Sequence, residues 1–121
     1  MTVLIAARNL GFRSAVKKFL QSDEKVQKVW EAADGEQAIE LARELRPDLV
    51  LMDMSLPRVN GLEATQMIKN TESNVQVIIM GEHTEPVYRQ AAIRSGADAF
   101  MVKSNAWAGE FLSSILRRES S

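Results

Sequence analysis

Two charged residues stand where apolar, strand-like runs end. Asp53 closes Leu49-Val50-Leu51-Met52, and Lys103 closes Ala99-Phe100-Met101-Val102. A carboxylate at the end of a buried run is costly unless it is solvated or paired, and a lysine on the same rim is a natural neighbour. Two readings of such a pair compete: a structural ion pair, or an acceptor carboxylate with a cation beside it. Other chemistries are poorly supplied. The chain has no cysteine, which excludes disulfides, thiolate catalysis and thiolate metal sites. Its one histidine, His83, excludes a His-rich zinc site and weakens any Ser–His–Asp reading.

Apolar runs of strand length occur at Val3–Ala6, Val26–Ala33, Leu49–Met52, Val75–Met80 and Ala99–Val102. Between them lie stretches with helical spacing. Phe12, Val16, Phe19 and Leu20 form one face, and Ala38, Leu41, Ala42 and Leu45 a second. Ala64, Met67 and Ile68 form a third, and Tyr88, Ala91 and Ala92 a fourth. Trp107, Phe111, Leu112, Ile115 and Leu116 form a fifth. Punctuation agrees. Asp34 with Gln37 three residues on starts the second helix, and Arg46-Pro47 stops it. Asn60-Gly61 starts the third. Glu85-Pro86 starts the fourth, and Ser95-Gly96 ends it.

Five such βα units predict an α/β fold with a parallel sheet between two layers of helices. Ligands of these sheets bind beyond the carboxyl ends of the strands, where strand order reverses. The residues to watch are therefore Ala7 and Arg8, Asp53, Gly81 and Glu82, and Lys103.

At 121 residues the chain is expected to be one domain, ordered from about 2 to 118, with Arg117–Ser121 fraying. Fifteen basic residues against sixteen acidic ones argue against a basic surface for direct nucleic-acid binding. The apolar runs are far shorter than a membrane span requires. Without a signal-peptide pattern at Met1-Thr2-Val3-Leu4-Ile5, a cytoplasmic location is expected.

From about Val3 through Ile115 the chain resembles the receiver domains of bacterial response regulators. Three blocks carry the resemblance: Arg46 through Glu63, with Asp53 and the Leu56-Pro57 turn; Ser95 through Lys103; and Glu31 through Ala38. The wording is most similar to the branch that precedes helix-turn-helix DNA-binding domains, although no such domain would fit after Leu116. The resemblance implies a flavodoxin-like, doubly wound, three-layer fold with strand order 2-1-3-4-5. It also implies two-component or phosphorelay signalling, in which a histidine kinase passes a phosphoryl group to an aspartate. By position that aspartate is Asp53, the phosphate-binding lysine is Lys103, and the aromatic switch residue is Phe100.

Three departures fall on the reaction centre. Where the family ends its first strand with two acidic residues that organise Mg²⁺, this chain has Ala7 and Arg8. Where it ends its fourth strand with Thr or Ser, this chain has Gly81. Mg²⁺ wants oxygen ligands, usually one or two of them carboxylates, so no metal site and no cofactor are expected. Phosphoryl transfer rests on positioning and on neutralising charge on the transferred group, and Arg8 cannot supply the metal's ligand geometry. Arg8 or Lys103, or both, are expected to contact Asp53. A pair at about 4 Å gains roughly 4 kcal/mol at an effective dielectric near 20, before desolvation. Gly81 removes a hydroxyl from the switch pair Gly81 and Phe100, which leaves Phe100 to pack in the core. Ser55 and His83 complete the expected pocket.

The favoured expectation is a pseudo-receiver: a non-enzymatic interaction module, impaired in phosphorylation, that binds a histidine kinase or an output partner. One alternative is a working phosphoacceptor with weak or unusual Mg²⁺ dependence. Another is a phosphohydrolase or anion-binding domain. Ser55 counts against the phosphohydrolase, because aspartate-nucleophile phosphatases need a second acid at that position. Arg8 and Lys103 favour the anion. A homodimer would use either the fourth helix, fifth strand and fifth helix, or the first and fifth helices. Trp30 and Trp107 are candidate interface aromatics.

Overall fold

The structure is a computed structural model that describes residues 1–103. Its elements are β1 (Thr2–Ala6), α1 (Leu10–Gln21), β2 (Lys28–Ala32), α2 (Gly35–Leu45), β3 (Leu49–Asp53), α3 (Gly61–Thr71), β4 (Gln76–Gly81), α4 (Pro86–Arg94) and β5 (Ala99–Val102). The five strands form one parallel sheet in the order β2-β1-β3-β4-β5. This is the doubly wound, flavodoxin-like arrangement expected from the sequence. Strand order reverses at β1 and β3, so a crevice opens beyond their carboxyl ends. The expected fifth helix, with Trp107, Phe111, Leu112, Ile115 and Leu116, and the frayed terminus lie outside the described residues.

Side-chain alternation along each strand divides the core in two. Val3, Ile5, Ala7, Leu49, Leu51, Ile78, Met80 and Met101 pack with Val16 and Leu20 of α1. Leu4, Ala6, Val50, Met52, Val77, Ile79 and Phe100 pack with Ala38, Ile39 and Ala42 of α2, Ala64 and Ile68 of α3, and Ala92 of α4. Strand β3 is buried along its whole length, as a continuous apolar run demands when both faces are covered.

The helix signals hold in detail. The Asp34 carboxylate accepts the Gln37 amide N–H at 2.7 Å, while Gln37 Oε1 reaches back to accept the Ala33 N–H at 2.9 Å. Asn60 Oδ1 caps α3 by accepting from Glu63 N, and Pro86 opens α4. Asn9 caps α1, its Oδ1 accepting from Phe12 N. Two details differ from the expectation. Strand β2 begins at Lys28 rather than Val26, because the Val26 N–H closes a turn onto the Asp23 carbonyl. Met67 is exposed, and Thr65 takes the buried place on α3. Trp30 is half-buried and packs against the α2–α4 side of the core. No helix among the described residues is long and apolar enough to cross a membrane.

Candidate functional site

At the carboxyl end of the sheet, alternation assigns the site residues to a face. Asp53 follows Leu49 and Leu51, Lys103 follows Met101, and Ala7 follows Val3 and Ile5, so all three share the parity of the α1 face. Asp53 pairs in register with Met80 of β4, and Gly81 pairs with Val102 of β5, one residue before Lys103. The lysine therefore has to span the end of β4, and its length is sufficient. Lys103 Nζ lies 2.7 Å from Asp53 Oδ2. Asp53 Oδ1 accepts the Ser55 amide N–H at 3.1 Å. With both oxygens engaged, an acidic side chain only 5% exposed is tolerated. Lys103 Nζ also stands 3.8 Å from Glu82 Oε1 and 4.9 Å from the centre of the Phe12 ring, so two carboxylates and an aromatic face hold one ammonium.

Arg8 behaves differently. It is exposed and forms no ion pair among the described residues, so of the two cations expected near Asp53 only Lys103 touches it. The offset of one residue accounts for this: Ala7, not Arg8, carries the parity of Asp53 and Lys103. Arg8 nonetheless lines the same cavity of about 480 Å³, together with Asn9, Asp53, Ser55, Glu82 and Lys103. Ala7 is buried in the core rather than lining that cavity. His83 does not line it either; its ring stacks on Tyr88 at 4.6 Å between centroids.

The backbone around Asp53 is braced. The start of α3 lies so close that a Cβ on Gly61 would fall 2.1 Å from the Asp53 carbonyl oxygen. The Gly61 N–H donates to the Met54 carbonyl, and the Met54 N–H to the Met80 carbonyl. At the end of β1, Arg13 donates to the Ala7 carbonyl at 2.6 Å while its Nε meets Glu31 Oε1 at 2.9 Å. Lys17 adds a second bond to Glu31 at 3.0 Å. The hydrogen bonds from Lys17 and then Arg13 hold the Glu31 carboxyl below its usual range. Sequence reasoning missed this cluster. Its residues lie on α1 and β2, and only their spatial juxtaposition reveals it.

The resemblance implies Mg²⁺, and the residues around Asp53 do not suit it. Positions 7 and 8 bring a methyl group and a guanidinium. Among the described residues no group of three or more His, Cys, Asp or Glu is placed to hold a metal. A hard dication needs several oxygen ligands.

On the other face, Gly81 has the parity of Ile79 and lies against Phe100, a residue only 4% exposed. A Cβ built on Gly81 would sit 3.0 Å from both Cε1 and Cζ of that ring. Gly81 does not have a positive φ, so what the glycine supplies there is space.

A parallel 2-1-3-4-5 sheet with a carboxylate and a lysine at its switch-point rim defines a class, and the comparisons narrow it. The family model of the response regulator receiver domain matches residues 3–111. The chain is 34% identical over 92 residues to the transcriptional regulatory protein DegU of Brevibacillus brevis, covering 76% of this chain and 39% of DegU. It is 35% identical over 104 residues to the nitrate/nitrite response regulator protein NarL of Escherichia coli K12, covering 84% of this chain and 47% of NarL. Among solved structures, the response regulator domain of Thermotoga maritima CheB superposes with a TM-score of 0.85 at 29% identity, covering 98% of this chain and 94% of that one. A LuxR-family two-component response regulator from Aurantimonas sp. SI85-9A1 gives the same TM-score at 27% identity, covering 96% and 84%. The chain belongs to the response regulator receiver domain family and is a receiver domain of two-component signalling. It spans half or less of the length of the curated relatives it matches.

Proposed function

We propose that this receiver domain acts as a non-enzymatic interaction module in which Asp53 is impaired as a phosphoacceptor. One observation carries the reading: the rim offers Asp53 a lysine and a nearby arginine, but no carboxylates at positions 7 and 8 to organise a metal. Charge on a transferred phosphoryl group has to be neutralised by placed cations, and the in-line geometry has to be held. Lys103 and Arg8 supply charge, while the ligand geometry is missing. Gly81 offers the phosphoryl group no hydroxyl. The partners in this reading are a histidine kinase or an output protein, met in the cytoplasm, with no direct nucleic-acid contact by this domain. A homodimer would form through α4 and β5 or through α1, in each case with the fifth helix.

The retained Asp53–Lys103 contact favours a second reading, slow phosphotransfer to Asp53 with weak Mg²⁺ dependence. Incubation with acetyl phosphate and Mg²⁺ followed by intact mass separates the two. The wild type is expected to gain no phosphoryl group. The triple variant Ala7→Asp, Arg8→Asp, Gly81→Thr is expected to gain one, and to lose it again when Asp53→Asn is added. Labelling of the wild type as readily as the triple variant overturns the first reading.

A further inference from the structure

Two dipeptides carry the means of their own modification. Asn60-Gly61 is the one asparagine–glycine step in the sequence, and Asp34-Gly35 the one aspartate–glycine step. In an open chain the glycine nitrogen attacks the side-chain carbonyl carbon before it, because glycine has no β-carbon to hinder the approach. A five-membered imide forms as ammonia leaves Asn60, or as water leaves Asp34. Water then opens the ring at either carbonyl and gives an aspartyl or an isoaspartyl linkage. Asn60 ends with a carboxyl group in place of its amide, while Asp34 keeps its mass.

The fold treats both steps alike. Each cap residue is extended and starts a helix. Its side-chain oxygen is engaged: Asp34 Oδ1 accepts from the Gln37 N–H at 2.7 Å, and Asn60 Oδ1 from the Glu63 N–H at 2.9 Å. Each glycine nitrogen, the nucleophile, donates its N–H to a carbonyl of the segment between β3 and α3. Gly35 donates to Pro57 at 3.3 Å, and Gly61 to Met54 at 2.9 Å. Each glycine is also pressed against the backbone of the same stretch, Asp53 to Val59. A β-carbon on Gly35 would lie 1.8 Å from the Val59 carbonyl oxygen, and one on Gly61 2.1 Å from that of Asp53. Closing the ring turns the nitrogen toward the side chain and away from the carbonyl it serves. Packing this tight leaves no room for the turn. Leu56, within the segment, is buried in the core, and Arg58 Nε stands 3.8 Å from Asp34 Oδ2.

We propose that Asp34-Gly35 and Asn60-Gly61 are two isoaspartyl-forming modification sites silenced by one guard, the segment from Met54 to Val59. Both are modified at the rate at which this segment lifts. Modification proceeds from the locally open state, and its rate follows the population of that state. An isoaspartyl linkage routes the main chain through the side chain and adds a carbon to it. With that extra length Gly61 no longer meets its place against the Asp53 carbonyl, so the modification removes the backing of Asp53. None of this depends on whether Asp53 accepts a phosphoryl group.

The test ages the protein at neutral pH and physiological temperature, folded and in unfolding urea, and digests samples with trypsin. Cuts after Lys28, Arg43, Arg58 and Lys69 place the two sites on separate peptides. Mass reports deamidation of Asn60. Chromatographic separation, with labelling by an isoaspartyl methyltransferase, reports Asp34. Each rate is taken relative to that of the same site in the unfolded chain. In the folded wild type both sites are expected to react many times more slowly than in urea. Leu56→Ala, which loosens the guard, should accelerate both severalfold and by a similar factor, with unfolded rates unchanged. Either site reacting as fast in the folded wild type as in urea overturns the proposal. So does a folded Leu56→Ala protein in which one site, or neither, accelerates. If circular dichroism shows Leu56→Ala unfolded, wild type in urea below its transition takes its place. Rates that climb together while the Leu51 amide stays protected from hydrogen exchange support the shared guard. Rates that separate, or that rise only with exchange at Leu51, overturn it.

Discussion

Lys103 reaches past the end of β4 to set its ammonium 2.7 Å from Oδ2 of Asp53, and both side chains are largely withdrawn from solvent. The contact joins strands that are not neighbours, since β4 lies between β3 and β5. It therefore ties three strand ends together at the rim where the family's chemistry takes place. Removing one partner of a mostly buried pair leaves the other charge uncompensated, which costs more than the pair itself contributes.

Lys103→Met is accordingly expected to destabilise the fold by about 2 kcal/mol, less than for a fully buried pair because Glu82 and solvent remain on one side. The double variant Asp53→Asn, Lys103→Met should be more stable than the sum of the single variants predicts, by about 1 kcal/mol. Urea unfolding of the four proteins measures the coupling; strict additivity would show that the contact carries no interaction energy.

Gly61 tests the bracing of Asp53 from behind. A β-carbon there meets the Asp53 carbonyl at 2.1 Å, and one on Gly35 meets the Val59 carbonyl at 1.8 Å. Both obstacles are backbone, which cannot rotate aside. Gly61→Ala and Gly35→Ala are each expected to cost about 3 kcal/mol, read as a lowered urea midpoint. Losses below about 0.5 kcal/mol, the range of ordinary surface substitutions, would show that α3 and α2 can back away from the β3–α3 segment.

Glu31 gives a pH-dependent prediction. Lys17 and Arg13 lower its folded pKa below the reference value of 4.5. The group therefore contributes stability that is fully present above that reference value and is lost as the pH falls through the lower folded value. Glu31→Gln is expected to lower stability by on the order of 1 kcal/mol at neutral pH. The gap from wild type should close as the pH drops below 4.5. Thermal melts of both proteins across that range check the sign, and a gap that widens on acidification would contradict it.

Thr65 is fully buried on α3, and its hydroxyl finds no hydrogen-bond partner among the described residues. A buried unsatisfied hydroxyl costs free energy that an isosteric methyl does not. Thr65→Val is expected to stabilise the protein by about 1 kcal/mol. A loss of stability in the melt would mean that the hydroxyl has a partner after all.

Local rules made much of this protein legible from its residues. The run Leu49-Val50-Leu51-Met52 marks a strand covered on both faces because no polar side chain interrupts it. Asp34 with Gln37, Asn60 with Glu63, and Pro86 mark helix starts because a cap and the amide it serves are only three residues apart. That Asp53 and Lys103 meet was within reach as well: both end apolar strands, and a buried carboxylate needs a cation. Tertiary structure decided what depends on contacts between distant segments. Whether Lys103 or Arg8 takes Asp53 turns on which face each strand end presents, an offset of one residue that composition does not reveal. The Arg13–Lys17–Glu31 cluster exists only because α1 lies over β2. Met67 and Thr65 satisfy helical spacing almost equally, and the neighbouring elements chose the hydroxyl for the interior. In the sequence Gly81 shows only as a missing hydroxyl. Beside Phe100 it is an open volume that an aromatic ring has filled, because close packing leaves no space vacant.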